Sequence, residues 1–119
     1  MFHFTDLPRG NFIFHTGLYM DEKVKKKPEK YRRMIENRRS ARKCYVITLP
    51  VNEKNSMEMY SSREFWFRHY RTVGLVIIGM AADRDSAEHL LCRIVQDVYS
   101  AYRMVDAGHI RAYFREKEG

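Results

Sequence analysis

Between Asp21 and Lys43 the chain places 11 of its 22 lysines and arginines, against 4 of its 15 acidic residues. The local charge of +7 equals that of the whole chain, so the other 96 residues sum to zero. Lysine and arginine at this density do one kind of chemistry. They neutralise phosphates or carboxylates without reading sequence. The candidate contacts are Lys30, Arg32, Arg33, Arg38, Arg39, Arg42 and Lys43, with Tyr31 and Tyr45 as rings on which bases could stack. Nucleic acid is the first partner this suggests and an acidic protein the second. A solvated face with no partner is the bland reading of any charge run.

A second place for chemistry is the set of loops that follow the two apolar strands ending near Pro50 and Met80, where α/β sheets hold ligands. Asn52, Asn55 and Asp83 are the candidates there for a small ligand or a substrate. Asp83 and Asp85 fit helix capping better than cation binding, because aspartate at a helix start accepts free backbone N–H groups. Nucleotide-binding glycine patterns and metal-binding His or Cys spacings are missing from the sequence. His3, His15, His69, His89 and His109 are scattered. Cys44 and Cys92 sit in apolar runs without a base nearby in sequence, which predicts buried, reduced thiols. These patterns favour binding over catalysis, with no cofactor and no metal. The aromatic segment from Tyr60 to Tyr70 is a further surface candidate. Phe65, Trp66, Phe67 and Tyr70 exceed what one helix face can bury, which suits a homodimer or another protein partner.

The elements that must position these residues follow from periodicity. Phe12 to Tyr19 predicts a strand, interrupted by Gly17. Residues 23–27 predict a flexible lead-in. Pro28 then suits a first helical turn, and Tyr31, Met34, Ile35 and Arg38 fall on one narrow stripe that can pack on the body. Lys43 to Pro50 predicts a strand. Met57 to Tyr60 reads as either a short strand or the approach to a helix over residues 62–71, capped by Ser61 with Glu64. An edge strand is the alternative for 62–71, because Phe65-Trp66-Phe67 favours β structure. Thr72 to Met80 is apolar without alternation, as a strand covered on both faces would be. Asp85 with Glu88 predicts a cap for a helix from Ser86 to about Met104, with Leu91, Ile94, Val95, Val98 and Tyr102 inward. Asp106 can cap a last helix from Ala107 to Phe114.

The chain of 119 residues suits one domain. With 45% apolar and 31% charged residues it can bury a core and stay soluble. The expected organisation is an N-terminal arm over residues 1–17 and a single domain over 18–119. Strands separated by helices predict an α/β fold, with a small, mainly parallel sheet of three or four strands, helices packed on it, and a basic helix near the N-terminus. The longest apolar run, Val73 to Ala82, is too short to cross a membrane. With no secretory signal pattern at the start, a cytoplasmic protein is expected.

The basic helix leads into a strand ending Leu49-Pro50, then Val51-Asn52-Glu53-Lys54-Asn55, Met57-Glu58-Met59-Tyr60 and Tyr70-Arg71. Leu75-Val76-Ile77-Ile78-Gly79-Met80-Ala81, Ile94-Val95-Gln96-Asp97-Val98-Tyr99 and Tyr113-Phe114 follow. This order resembles small α/β proteins found widely in Gram-positive bacteria and usually labelled hypothetical. The resemblance covers about residues 18–119 and implies one compact domain in a bacterial cytoplasm. It implies no activity, ligand or catalytic residue.

Overall fold

One four-stranded sheet with an apolar layer on each face organises the molecule. The computed structural model describes residues 12–36, 43–50, 57–62 and 75–118. In chain order these form β1 (Phe12–Met20), α1 (Glu22–Lys26), α2 (Pro28–Glu36), β2 (Tyr45–Thr48), β3 (Glu58–Ser61), β4 (Leu75–Ala81), α3 (Arg84–Tyr102) and α4 (Ala107–Lys117). The strand order is β1-β4-β2-β3. Residues 12–17, expected in an arm, lie within β1. Met57 to Tyr60, ambiguous in sequence, falls largely in β3. The helix expected over residues 62–71 falls almost wholly outside the described residues.

The sheet is mixed, which corrects the expectation of a mainly parallel one. β1 pairs parallel with β4, but β2 pairs antiparallel with both β3 and β4. The cause lies between β1 and β2. Met20 ends β1 opposite Met80, and Tyr45 begins β2 opposite Ala81. The connection therefore leaves and re-enters at the same end of the sheet, and β2 has to run back. Within that connection, Pro28 disfavours helical geometry at the residue before it. Lys27 leaves the helix with φ −144° and ψ 61°, which separates α1 from α2.

Side chains alternate across the strands and feed two cores. Val24, Ile35, Cys44, Val46, Ile77 and Met80 pack together on the α1–α2 side. Tyr19, Ile47, Ile78, Ala81, Leu90, Ile94, Val98, Ile110 and Phe114 pack on the α3–α4 side. Gly79 lies where β4 crosses Ile47. A Cβ there would come within 3.1 Å of the Ile47 side chain, which would have to give by a few tenths of an ångström, so glycine eases the close approach.

Three helices begin the same way. Asp21, Asp83 and Asp106 each accept from the backbone N–H three residues on, at 2.8 Å, from Val24, Ser86 and His109 respectively. Asp83, not Asp85, therefore caps α3, and the helix starts at Arg84. The inner stripe of α3 is Ala87, Leu90, Ile94 and Val98. Val95, expected inside, is exposed. Residues 23–27 are not a loose lead-in. They form most of a capped helical turn whose Val24 is fully buried.

Candidate nucleic-acid interface

The basic layer is held to the sheet by few anchors. Val24 of α1 and Ile35 of α2 have no exposed surface, while Tyr31 and Met34 are half-buried beside them. Asp21 ties the layer to the end of β4. Its Oδ1 caps α1, its Oδ2 accepts from the Ala82 N–H at 2.9 Å, and its own N–H donates to the Met80 carbonyl. One aspartate thus fixes the start of the layer against the strand it follows.

Above those anchors the cations face water. Lys23, Lys26, Lys27 and Arg33 are exposed and, among the described residues, make no ion pair. Lys25 meets Glu22 at 3.5 Å and Arg32 meets Glu29 at 3.6 Å, both between side chains largely open to solvent. Pairs of this kind hold little free energy and are easily exchanged for another anion. Arg32 also lies over the Phe14 ring at 4.5 Å, which joins α2 to β1. Lys30 lies 5.8 Å from the centre of the Tyr31 ring.

Among the sequence candidates, the structure brings Lys30, Arg32 and Arg33 together on α2. Arg38, Arg39, Arg42, Asn52 and Asn55 lie outside the described residues. Lys43 does not join the α2 group in the way the sequence suggested. It sits over the ring of Tyr45, and Tyr45 packs with the core on the α3–α4 side. Tyr31 and Tyr45 therefore face opposite sides of the sheet and cannot form one stacking surface. The third loop candidate, Asp83, is engaged as a cap. The Ser86 N–H, and then the Ser86 hydroxyl, hold its carboxyl below the usual range. A carboxylate so placed would repel an anion at the α3 N-terminus.

Sequence reasoning missed a second polar grouping where β1 meets α3 and α4. β1 there carries four residues, 15–18, opposite the single Ile78 of β4. The Gly17 N–H donates to His15 Nδ1 at 2.8 Å, so the proton of this buried imidazole sits on Nε2 and is donated to the Phe114 carbonyl at 2.7 Å. Lys117 donates to the Gly17 carbonyl at 3.0 Å. One step further on, the Tyr19 hydroxyl donates to Asp97 at 2.5 Å and lies 3.0 Å from the Tyr113 hydroxyl, which is left to donate to it. Burial and then the bond to Asp97 push the Tyr19 hydroxyl well above its ordinary range, and burial lowers Lys117. A tyrosine that holds its proton this firmly cannot serve as a base. The grouping joins three elements by hydrogen bonds. Its only sequence signal was the glycine that interrupts a strand.

The cysteines differ from each other. Burial pushes the Cys44 thiol up to about 11, so it is no nucleophile at neutral pH. Cys92, expected buried, is exposed on α3. Both are free thiols. Among the described residues no group of three or more His, Cys, Asp or Glu is placed to hold a metal ion, and no helix is long and apolar enough to cross a membrane. Comparison of the chain with protein-family models, curated proteins and solved structures found no match.

Proposed function

We propose that this chain is a non-enzymatic binding protein whose α1–α2 layer contacts the phosphate backbone of nucleic acid. The observation that carries the reading is the pairing of fully buried anchors with unpaired surface cations. Val24 and Ile35 pin the layer, and Lys23, Lys26, Lys27 and Arg33 stand out from it without ion-pair partners among the described residues. Charge on a pinned layer loses little further backbone freedom on binding, and it matches an extended anion better than a free tail would. Lys30 and Arg32 belong to the same contact, and Arg38, Arg39 and Arg42 follow in sequence. Lys43 is left out, because it lies over Tyr45.

Such contacts are non-specific and salt-dependent, with the logarithm of affinity falling by about 0.7–0.9 per phosphate neutralised for each tenfold rise in salt. The test is a titration of labelled single-stranded RNA and duplex DNA at low and moderate salt. The wild-type chain is compared with Lys23→Glu, Lys26→Glu, Lys27→Glu and Arg33→Glu combined. The expected result is binding that weakens with salt, is lost in the variant and leaves the circular dichroism spectrum unchanged. No binding at low salt, or undiminished binding by a folded variant, would overturn the reading. Loss of an acidic protein's binding without any nucleic-acid binding would move the function to that partner.

A further inference from the structure

α3 is the longest helix among the described residues, and its otherwise polar outer surface carries the exposed apolar side chains Val95 and Tyr99. Among the described residues the exposed large apolar side chains are Ile13, Val95, Tyr99, Met104 and Val105. All but Ile13 lie on α3 or in the turn after it. With 3.6 residues per turn, Glu88, Cys92, Val95, Tyr99 and Arg103 share one stripe, and all five are exposed. The core-facing stripe of Ala87, Leu90, Ile94 and Val98 is a separate face. Val95 is 36% and Tyr99 50% exposed, and Met104 and Val105 extend the apolar surface past the helix end.

The order of chemistry along this stripe is acid, thiol, valine, aromatic, base. That order is complementary to itself when reversed. If two copies of α3 lie antiparallel about a twofold axis near Val95, Glu88 of one copy meets Arg103 of the other, Cys92 meets Tyr99, and Val95 meets Val95. We infer that the outer stripe of α3 is the contact surface for a second copy of this chain, packed antiparallel across that axis. A symmetric contact uses one patch twice, and only a self-complementary patch satisfies it. An unrelated acidic or basic partner would find one matched end and one mismatched end.

Arg103 supports the assignment. It closes α3 in the left-handed region at φ 61°, where glycine would be unstrained. The non-glycine residue holds a guanidinium 5.9 Å from the centre of the Tyr99 ring, at the end of the stripe. Glu88, at the other end, meets Arg84 of its own helix at 3.2 Å between exposed side chains, and no other cation among the described residues. That leaves its carboxylate open to a second cation. The contact is independent of nucleic-acid binding, because α1–α2 pack on the other face of the sheet and remain open in the dimer.

Sedimentation velocity of the full chain over a range of micromolar concentrations tests this directly. The expected result is a reversible dimer that Val95→Glu converts to monomer. Glu88→Arg and Arg103→Glu should each weaken dimerisation about tenfold, because the axis uses every exposed pair twice, and the double variant should recover. A Cys92→Ser, Val95→Cys chain should form an intermolecular disulfide on mild oxidation, whereas Cys92→Ser, Ser100→Cys should not. Monomer at all concentrations would overturn the proposal. So would a dimer indifferent to Val95→Glu, or a double charge swap that fails to recover.

Discussion

The two layers on the sheet solve the same burial problem with different means. The α3–α4 side has long helices that share a continuous core, from Ile47 and Ile78 in the strands to Leu90, Ile94, Val98, Ile110 and Phe114 above them. The α1–α2 side offers two helices with one fully buried residue each among the described residues, Val24 and Ile35. It reaches a comparable fit by using the strand residues Cys44, Val46, Ile77 and Met80. The difference shows how charge and burial trade places. Where a helix pair is broken at Lys27-Pro28 and lightly anchored, most of its surface is free for lysine and arginine. Where a helix is long and continuous, its spare surface can be apolar and meet another protein.

Predictions sharpen that contrast, beginning with the largest effect. Phe114→Ala should cost about 3–5 kcal/mol, because a fully buried ring leaves a cavity at the junction of β1, α3 and α4. Ile35→Ala should cost less, roughly 2–4 kcal/mol, and should loosen α1–α2 before the rest. Denaturant unfolding with hydrogen exchange separates the two. If Ile35→Ala speeds exchange uniformly through α3 and α4, the layers are not independent in the way described.

Asp21→Ala comes next, at about 1–2 kcal/mol. It removes the α1 cap and leaves the Ala82 N–H without its acceptor. Thermal unfolding should fall accordingly, whereas Asp85→Ala, at a residue that caps nothing, should change little.

Tyr19→Phe tests the other layer's polar link. It deletes the donor to Asp97 and the acceptor of Tyr113, and the expected loss is about 1 kcal/mol, since Asp97 can turn to water. An unchanged melting temperature would mean that the hydroxyl chain contributes nothing to holding β1 against α3 and α4.

The smallest effect is in acid. The Asp83 carboxyl is held below its ordinary range by the Ser86 N–H, and the Asp106 carboxyl by the His109 N–H. A lowered carboxyl contributes stability that is present above the unfolded value. It is lost as pH falls from the usual carboxylate range through the lower folded value. Asp83→Asn and Asp106→Asn should therefore flatten the acid limb of the stability profile, with stability slightly lower at neutral pH and little changed in acid. Unaltered acid limbs would remove the caps as a source of pH dependence.

Much of the secondary structure was legible from residue pattern. β1, β2, β4 and the last two helices fall close to where β-branched runs, helical stripes and aspartate caps put them. The reading slipped where a local rule had two valid users. Asp83 and Asp85 both look like caps, and only the chain direction at the end of β4 chose Asp83. Val95 satisfies the inner helical stripe as well as Leu90 does, but the sheet beneath α3 meets Leu90. Val24 went unnoticed because one valine among lysines gives no periodicity. The polar grouping at Tyr19, Asp97 and Tyr113 was illegible, because its members are separated by 78 and 94 residues and no spacing rule connects them.

The sequence by itself determined where charge accumulates, which segments favour helix or strand, and that an aspartate stands at the start of α1, α3 and α4. Those are local properties, set by side-chain volume, backbone freedom and neighbouring residues. Only the tertiary structure decided the direction of β2, because strand direction depends on which end of the sheet the connection returns to. It also decided that Lys43 is turned away from Lys30, Arg32 and Arg33. A sheet has two faces, and a charge count along the chain does not say which face each charge will meet.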